Sequence, residues 1–207
     1  MNIDLNSEDF DAKEGKAIFN GGLAGITEDV TISLMKKKAT DKEGSPDYKI
    51  VYTDNTGATI NSALYYVTKE LTYGSKVTTI EDQVKKQGKV LKHLLHAVIS
   101  PTFSFPAFSN QNEMLDGCMK ALHGAVTANP GAKFRIFTNY GTTSAPKKFL
   151  QPRSWVPFIE PMSVLLANSR LVVSDLDQMS RLAPDEQPAG QQTANGSPAA
   201  APVEDGW

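Results

Sequence analysis

Disulfide-forming cysteines and long apolar runs are both missing from this chain. Its one cysteine, Cys118, cannot form an internal disulfide, which fits a reducing compartment. No apolar run approaches the ~18 residues that indicate a membrane-spanning helix, and no charged-then-apolar N-terminus indicates a signal peptide. We therefore expect a soluble protein with no membrane partner, located inside a cell.

Signatures of catalysis and metal binding are missing as well. The chain has no G-x-S-x-G elbow, no phosphate-binding glycine loop and no paired-carboxylate motif. His93 and His96 lie one turn apart on a predicted helix, followed by Cys118 and His123, but this spacing matches no common zinc pattern. We predict a protein that is not an enzyme and that holds neither a metal nor another cofactor.

Charge is distributed unevenly along the 207 residues, whose formal net charge is −2. Residues 1–30 carry seven acids against two lysines, and residues 175–207 carry six acids against Arg181. The middle, residues 31–174, holds 18 Lys and Arg against ten acids, a balance of +8. A basic body between acidic ends predicts a polyanion-binding surface for which the acidic segments compete. A solvated surface with ordinary charge scatter is the alternative interpretation.

Composition predicts three parts: an acidic N-terminal extension (1–27), one domain (28–174) and a flexible acidic C-terminal tail (175–207). From about Arg181 onward the chain has almost no large apolar residue, so ordering it would cost more entropy than burial returns. The tail ends in "PVEDGW", where Trp207 would anchor a contact and Glu204 and Asp205 would select a basic pocket on a partner protein. A tail kept acidic for solubility is the alternative.

Hydrophobic periodicity predicts three strands (28–38, 48–53 and 61–69), two helices (79–99 and 111–128) and two further strands, at 133–139 and in "KKFLQPRSW". Val30, Ile32 and Leu34 should share one face of the first strand. This is the order of the OB-fold, a five-stranded Greek-key barrel. We therefore predict a β-rich α+β domain, an OB-fold-like five-stranded antiparallel barrel with inserted helices.

Two stretches, "DYKIVYTDNTGATINSALYY" and "FRIFTNYGTTSAPKKFLQPRSWVPFIE", lie in a basic, aromatic-bearing body that precedes a low-complexity tail. This layout resembles the single-stranded DNA-binding proteins of bacteriophages over residues 28–160 and the tail tip. The resemblance implies sequence-independent binding of single-stranded DNA during phage DNA replication or recombination, in the cytoplasm of the infected host cell. It also implies replication or recombination proteins as partners of the tail, although the tip here carries fewer acids than is usual in this family.

Non-specific binding of single strands requires cations for the phosphates and aromatic faces on which bases stack. Aromatic and basic side chains are interleaved in or beside the predicted strands, and "YGTTSAPKKFL" adds a loop rich in Gly, Thr and Ser before two lysines. The predicted binding residues are Tyr48, Lys49, Tyr52, Tyr65, Tyr66, Lys133, Arg135, Tyr140, Lys147, Lys148, Arg153 and Trp155. For each aromatic a place in the core is the alternative, and adjacent Tyr65 and Tyr66 should point to opposite faces.

Two other functions fit the sequence: a phage structural or adaptor protein that binds proteins through its mixed αβ body, and an accessory subunit of a nucleic-acid enzyme. Phosphate binding weakens steeply with salt, whereas an apolar protein contact does not, so salt dependence separates the first of these from DNA binding. The sequence leaves open the DNA or RNA preference, the site size, the identity of the tail partner and the oligomeric state, a homo-oligomer included.

Overall fold

An antiparallel sheet packed on two helices forms the body of the protein. The computed structural model describes residues 17–73 and 76–181. In chain order its elements are β1 (Gly25–Lys36), β2 (Tyr48–Thr53), β3 (Thr59–Leu64), β4 (Leu71–Tyr73), β5 (Lys76–Thr78), α1 (Ile80–Val98), α2 (Gln111–Ala128), β6 (Phe134–Thr142), β7 (Ala145–Pro152) and β8 (Ile159–Pro161). Short 3-10 turns lie at Phe19–Gly22 and Leu166–Asn168.

The main sheet has the order β3-β2-β1-β6-β7, with β8 paired to β6, and β4 and β5 form a separate hairpin. The long strand β1 joins the two halves of the sheet, because residues 31–36 pair with β2 and residues 25–30 pair with β6. A bulge between Thr27 and Val30, with Asp29 at φ 57°, separates the two pairings. β3 lies close to β7, but no ladder joins these strands within the described residues. The sheet is therefore curled without a hydrogen-bonded closure there.

Several predicted elements are confirmed. β2 and α2 have the predicted bounds, and α1 begins one residue later than expected because Thr79 is its N-cap, accepting a hydrogen bond from Asp82 N at 3.1 Å. The predicted third strand at 61–69 needs correction, since β3 ends at Leu64 and Tyr65 and Tyr66 lie beyond it. Strands β4, β5 and β8 were not predicted.

The core lies between the inner face of the sheet and the two helices. Val30 and Ile32 are buried on β1 and Leu34 is half-buried beside them, which confirms the predicted shared face. The largest fully buried side chains of this cluster are Tyr52, Phe158, Ile50, Leu91, Leu94, Leu95, Leu115, Leu122, Ile136 and Ile159. Neither described helix has the length and apolar character needed to cross a membrane.

The opposite face of β6 is covered by the segment 164–178, which we call the strap. Every residue of β6 from Phe134 to Gly141 is buried, because the core covers one face and the strap covers the other. Tyr140 N donates to Gln178 O at 2.7 Å, and Thr142 forms an isolated bridge with Asp177. The packed body therefore continues past residue 174 at its C-terminal end. At its N-terminal end it begins before residue 28, because Phe19 is buried and β1 starts at Gly25.

Candidate nucleic-acid interface

The tyrosines of β2 face the core and not the solvent. Burial alternates along the strand, so Tyr48 and Tyr52 are buried while Lys49 points outward from the sheet. Tyr52 is 0% exposed and Tyr48 is 7% exposed. The prediction that both rings offer stacking faces does not agree with this structure, since no base can reach either ring without unfolding the sheet. Lys49 lies at the surface of the sheet, so its predicted phosphate contact stays a prediction.

Tyr48 and Tyr66 share one acceptor, the carboxylate of Asp116 on α2. The Tyr66 hydroxyl donates to Asp116 Oδ1 at 2.6 Å, and the Tyr48 hydroxyl donates to the same oxygen. These two hydrogen bonds hold the pKa of Asp116 below its usual range. Burial and the hydrogen bond to Asp116 raise the pKa of Tyr48 to about 12, and the hydrogen bond to Asp116 together with burial raises the pKa of Tyr66. Tyr66 is thus tied to α2, and only part of its ring is exposed.

Beside Tyr66 lies an open cavity of about 460 Å³. Its walls carry three lysines and three acids, together with Ala39 and Tyr66: Lys36, Lys37, Lys38, Asp41, Glu43 and Asp47. The Asp47 carboxylate accepts from Tyr66 N at 2.8 Å, and the Asp41 carboxylate accepts from Lys38 N at 2.8 Å. Because the cations and acids balance, this cavity offers a phosphate no net charge.

Tyr65 and Tyr140 also serve the fold. The carbonyl of Tyr65 accepts from the side-chain amides of Gln87 at 3.2 Å and Gln111 at 3.4 Å, and its half-buried ring has a pKa raised by burial. Tyr140 is 8% exposed, and its hydroxyl donates to Gly22 O at 2.7 Å, which fixes the 3-10 turn over the end of the sheet. Tyr140 is therefore not a stacking residue in this structure.

Arg135 does not have a free guanidinium. Its Nε donates to Glu28 Oε1 at 2.6 Å, and its Nη1 donates to Val164 O at 2.6 Å and to Glu160 Oε1 at 3.4 Å. The hydrogen bond that it donates to Glu28 is the largest cause of its raised pKa. The side chain is 8% exposed, so Arg135 ties the strap to the sheet and the predicted phosphate contact is corrected to a structural ion pair.

Arg153 is buried more completely, with a side chain that is 2% exposed. It donates through Nε and Nη2 to both oxygens of Asp177, through Nη2 to Val172 O and through Nη1 to Pro157 O. Its guanidinium also lies 3.7 Å from the ring centroid of Phe137. Since its donors are used inside the protein, the predicted phosphate contact at Arg153 is likewise corrected.

The remaining predicted residues are dispersed. Lys133 is exposed and its Nζ donates to Asp29 O at 3.2 Å, beside a cavity of about 1020 Å³ between the helix ends and β8. Trp155 is half-buried, with its ring centroid 5.3 Å from the Arg153 guanidinium. The predicted tail contacts at Glu204, Asp205 and Trp207 lie outside the described residues.

The structure brings a predicted lysine pair together with an aromatic that sequence reasoning missed. Lys147 and Lys148 precede Phe149 on β7, and Phe149 is 76% exposed, the largest exposure of any large apolar side chain in the described residues. Neighbouring Leu150 packs against the core while Phe149 points outward, in the part of β7 where the regular pairing with β6 is interrupted between Pro146 and Gln151. Phe149 and Leu150 are adjacent apolar residues in "KKFL", so no local pattern in the sequence indicates which of them faces the solvent. We call Lys147, Lys148 and Phe149 the β7 strip.

The turn before the β7 strip depends on Gly141. This glycine has φ +84°, and a Cβ added to it would lie 2.5 Å from Ala145 O and 2.9 Å from Lys147 Cγ. Only glycine fits this turn without displacing backbone, and its missing side chain leaves room for the Lys147 stem. The tight turn thus holds the lysine pair at the rim of the sheet.

Lys49 extends the basic surface across the outer face of the sheet. It is paired with Ala63 on β3 and with Met35 on β1, and Met35 is 56% exposed. Within residues 17–73 and 76–181 no helix covers this face of β1, β2 and β3, in contrast to the strap-covered face of β6. Protein-family models, curated proteins and solved structures were compared with the chain, and none matches it.

Proposed function

We propose that the protein binds single-stranded DNA without sequence preference, through the β7 strip with Lys49 as an outlying phosphate contact. The exposed ring of Phe149 beside two lysines carries the proposal, because it supplies a stacking face and phosphate-neutralising charge in one place. A duplex hides its base faces, so single strands are preferred. The protein then protects single-stranded intermediates of phage DNA replication or recombination, while the tail contacts proteins of those processes.

The strand order supports an OB-fold-like assignment. Five strands of the sheet follow one another as the five strands of an OB-fold do: β1, β2, β3, β6 and β7. Both helices lie between the third and fourth of these strands in the chain. In OB-folds the face of strands two and three and the turn between strands four and five bind oligonucleotides. Lys49 lies on the second of these strands, and the β7 strip follows the corresponding turn. The polar outer face of β3, which lies close to β7, connects the two.

Substitution of Phe149 tests the proposal. Phe149→Ala and Phe149→Leu should each weaken single-strand binding by about 1–3 kcal/mol, the usual contribution of one stacked base. Phe149→Trp should bind at least as tightly as the wild type, because it keeps an aromatic face. Affinity is measured by fluorescence anisotropy with single-stranded and double-stranded oligonucleotides of several sequences.

Leu166→Ala is the matched control, because Leu166 is 61% exposed and lies on the strap. It should bind as the wild type does. If Phe149→Leu binds normally while Phe149→Ala does not, the contact is apolar and not a stacked base. If all Phe149 variants bind normally, the β7 strip is not the interface.

The salt dependence of the affinity tests the two lysines of the β7 strip separately. Each phosphate contact on a single strand contributes about 0.7 to the slope of log affinity against log salt concentration. Lys147→Ala with Lys148→Ala should therefore lower the slope by about 1–1.5 with little dependence on sequence. The control, Lys86→Ala with Lys89→Ala on exposed positions of α1, should leave the slope unchanged. Binding that does not respond to salt would instead support the adaptor function.

A further inference from the structure

A cavity of about 1020 Å³ lies between the C-terminal ends of the two helices and β8. Its volume is at the upper end of the ~300–1,000 Å³ that small-molecule sites occupy. The lining residues come from the end of α1, the segment between α2 and β6, β8 and the strap. No residue of the β7 strip lines it within the part of the chain that the structure describes. The cavity is therefore a second candidate site, and it does not depend on the β7 strip.

The exposed rim of the cavity is basic and polar. Lys133 and Arg170 line it and are exposed, and so are two side-chain amides, those of Asn129 and Asn168. An ammonium and a guanidinium are groups with which proteins hold phosphate. The Lys133 ammonium donates to Asp29 O at 3.2 Å, and its other N–H groups remain for a ligand. The rim is therefore suited to an anionic group.

The acid beside the rim is used inside the protein. Of the described acidic residues, Glu160 alone lines the cavity. Its Oε1 accepts from Arg135 Nη1 at 3.4 Å, and its Oε2 accepts from the backbone N of Arg170 at 3.3 Å. Arg135 also pairs with Glu28, so the cations Lys133, Arg170 and Arg135 stand against two acids here, a balance of +1. The whole chain carries −2, so this attraction is local and acts on a ligand at short range.

The inner wall of the cavity consists of imidazole rings and apolar side chains. His93 and His96, one turn apart on α1, are half-buried and both line it. His93 Nε2 accepts from the backbone N of Phe158 at 3.2 Å, so its ring is neutral with the proton on Nδ1, and burial lowers its pKa. His96 Nε2 donates to Phe103 O at 3.2 Å. Within the described residues no third ligand joins these histidines into a metal site. The inner wall therefore suits a flat, uncharged ring.

A ligand that fits both parts of the cavity joins a flat ring system to an anionic end. We propose that the cavity binds a nucleoside monophosphate, with its base against His93 and His96 and its phosphate at Lys133 and Arg170. Bases stack on imidazole rings and form hydrogen bonds through their edges, and phosphate accepts charge-assisted hydrogen bonds from both cations. The nucleotide is either free or the 5′-phosphorylated end of a strand, because both present the same groups.

Isothermal titration calorimetry of the full chain with adenosine 5′-monophosphate tests the proposal. The nucleotide should bind, and adenosine and inorganic phosphate should each bind at least about tenfold more weakly, because each uses only one part of the cavity. Lys133→Ala with Arg170→Ala should weaken nucleotide binding by about tenfold or more. The matched control, Lys86→Ala with Lys89→Ala, removes two exposed lysines that do not line the cavity and should bind as the wild type does.

Thermal unfolding of each variant establishes that it is folded, and Arg170→Ala alone provides a second disruption that keeps the backbone contact with Glu160. A wild type that does not bind the nucleotide overturns the proposal. Equally tight binding of adenosine, or of inorganic phosphate, overturns it as well, because one part of the cavity then has no role. Unchanged nucleotide affinity in the double variant places the site elsewhere and refutes the assignment.

Competition experiments distinguish the two sources of the nucleotide. Displacement of adenosine 5′-monophosphate by a 5′-phosphorylated single-stranded oligonucleotide, but not by the same strand with a 5′-hydroxyl, supports the cavity as a site for strand ends. Binding of the free nucleotide without displacement by either strand supports a site for free nucleotides. Equal displacement by both strands overturns the role of the terminal phosphate.

Discussion

Removal of the Asp177 carboxylate should destabilise the whole domain. The side chain of Asp177 is 0% exposed and that of its partner Arg153 is 2% exposed. The same carboxylate accepts from Asn139 Nδ2 at 2.7 Å and from Ser174 N at 2.9 Å. Asp177→Ala thus leaves one buried cation without a counter-ion and two polar groups without their acceptor.

The expected cost follows from that arrangement. Breaking a buried ion pair by removing one partner costs about 3–5 kcal/mol of stability, and this figure includes the cost of the polar groups that lose their hydrogen-bond acceptor. The carbonyls of Val172 and Pro157 remain as acceptors for Arg153 and limit the loss. Domains of this size have a total stability of about 5–15 kcal/mol. The variant should therefore lose a large part of its stability.

Urea unfolding followed by circular dichroism measures the change in the free energy of unfolding. Asp175→Ala is the matched control, because Asp175 is exposed two residues away, and it should change stability by less than about 0.5 kcal/mol. A chain that ends after residue 174 should be destabilised as Asp177→Ala is. If Asp177→Ala and Asp175→Ala unfold at the same urea concentration, the strap is not held by this ion pair.

Three further predictions concern the helices and the tail. Gly117→Ala would place a Cβ 2.7 Å from the Phe108 ring, whereas at Gly124 nothing lies within 4 Å. Urea unfolding should show that Gly124→Ala stabilises the protein by about 0.5–1 kcal/mol and that Gly117→Ala is about 1–3 kcal/mol less stable than Gly124→Ala. Equal stabilities of the two variants would refute the contact with Phe108. Burial lowers the pKa of His93, so stability should be full above the unfolded pKa of about 6.5 and fall as pH drops below it. His93→Gln should flatten that dependence in urea melts at several pH values, and an unchanged dependence would assign it to other groups. Deletion of residues 182–207 should leave melting unchanged and single-strand affinity equal or higher, and loss of folding would show that this segment belongs to the body.

Local patterns predicted the regular elements well. The alternation of "YKIVYT" and the apolar spacing of "QNEMLDGCMKALHGAVTA" fixed β2 and α2, because each pattern repeats over the whole element. The third strand was predicted too long because tyrosines favour strands, while the side-chain amides of Gln87 and Gln111 hold Tyr65 in an irregular segment. Such a tertiary contact leaves no periodic trace in the sequence.

The strap had no periodic signal at all. Its position depends on Arg153 and Asp177, which are 24 residues apart, and on Arg135 and Val164, which are 29 residues apart. Sequence patterns over a short window cannot detect pairs at these separations. The same limit explains why two buried arginines were predicted as phosphate contacts, since a basic residue beside aromatics has the same local pattern in either role.

Two of the four arginines, Arg135 and Arg153, serve the fold, whereas Arg170 and Arg181 are exposed. A guanidinium offers several fixed donors that match carboxylates and carbonyls, whereas the ammonium of lysine is strongly hydrated and prefers the solvent. Arg135 and Arg153 are accordingly inside the protein, where they are matched by acids that the sequence places in its acidic ends, Glu28 and Asp177. Because these acids pair with arginines of the body, acidic and basic charges are less separated in the folded protein than along the chain. Among the predicted phosphate contacts, the ones that remain accessible are the lysines, so substitutions of Lys147 or Lys148 should change affinity without changing stability, and substitutions of Arg153 should change stability first.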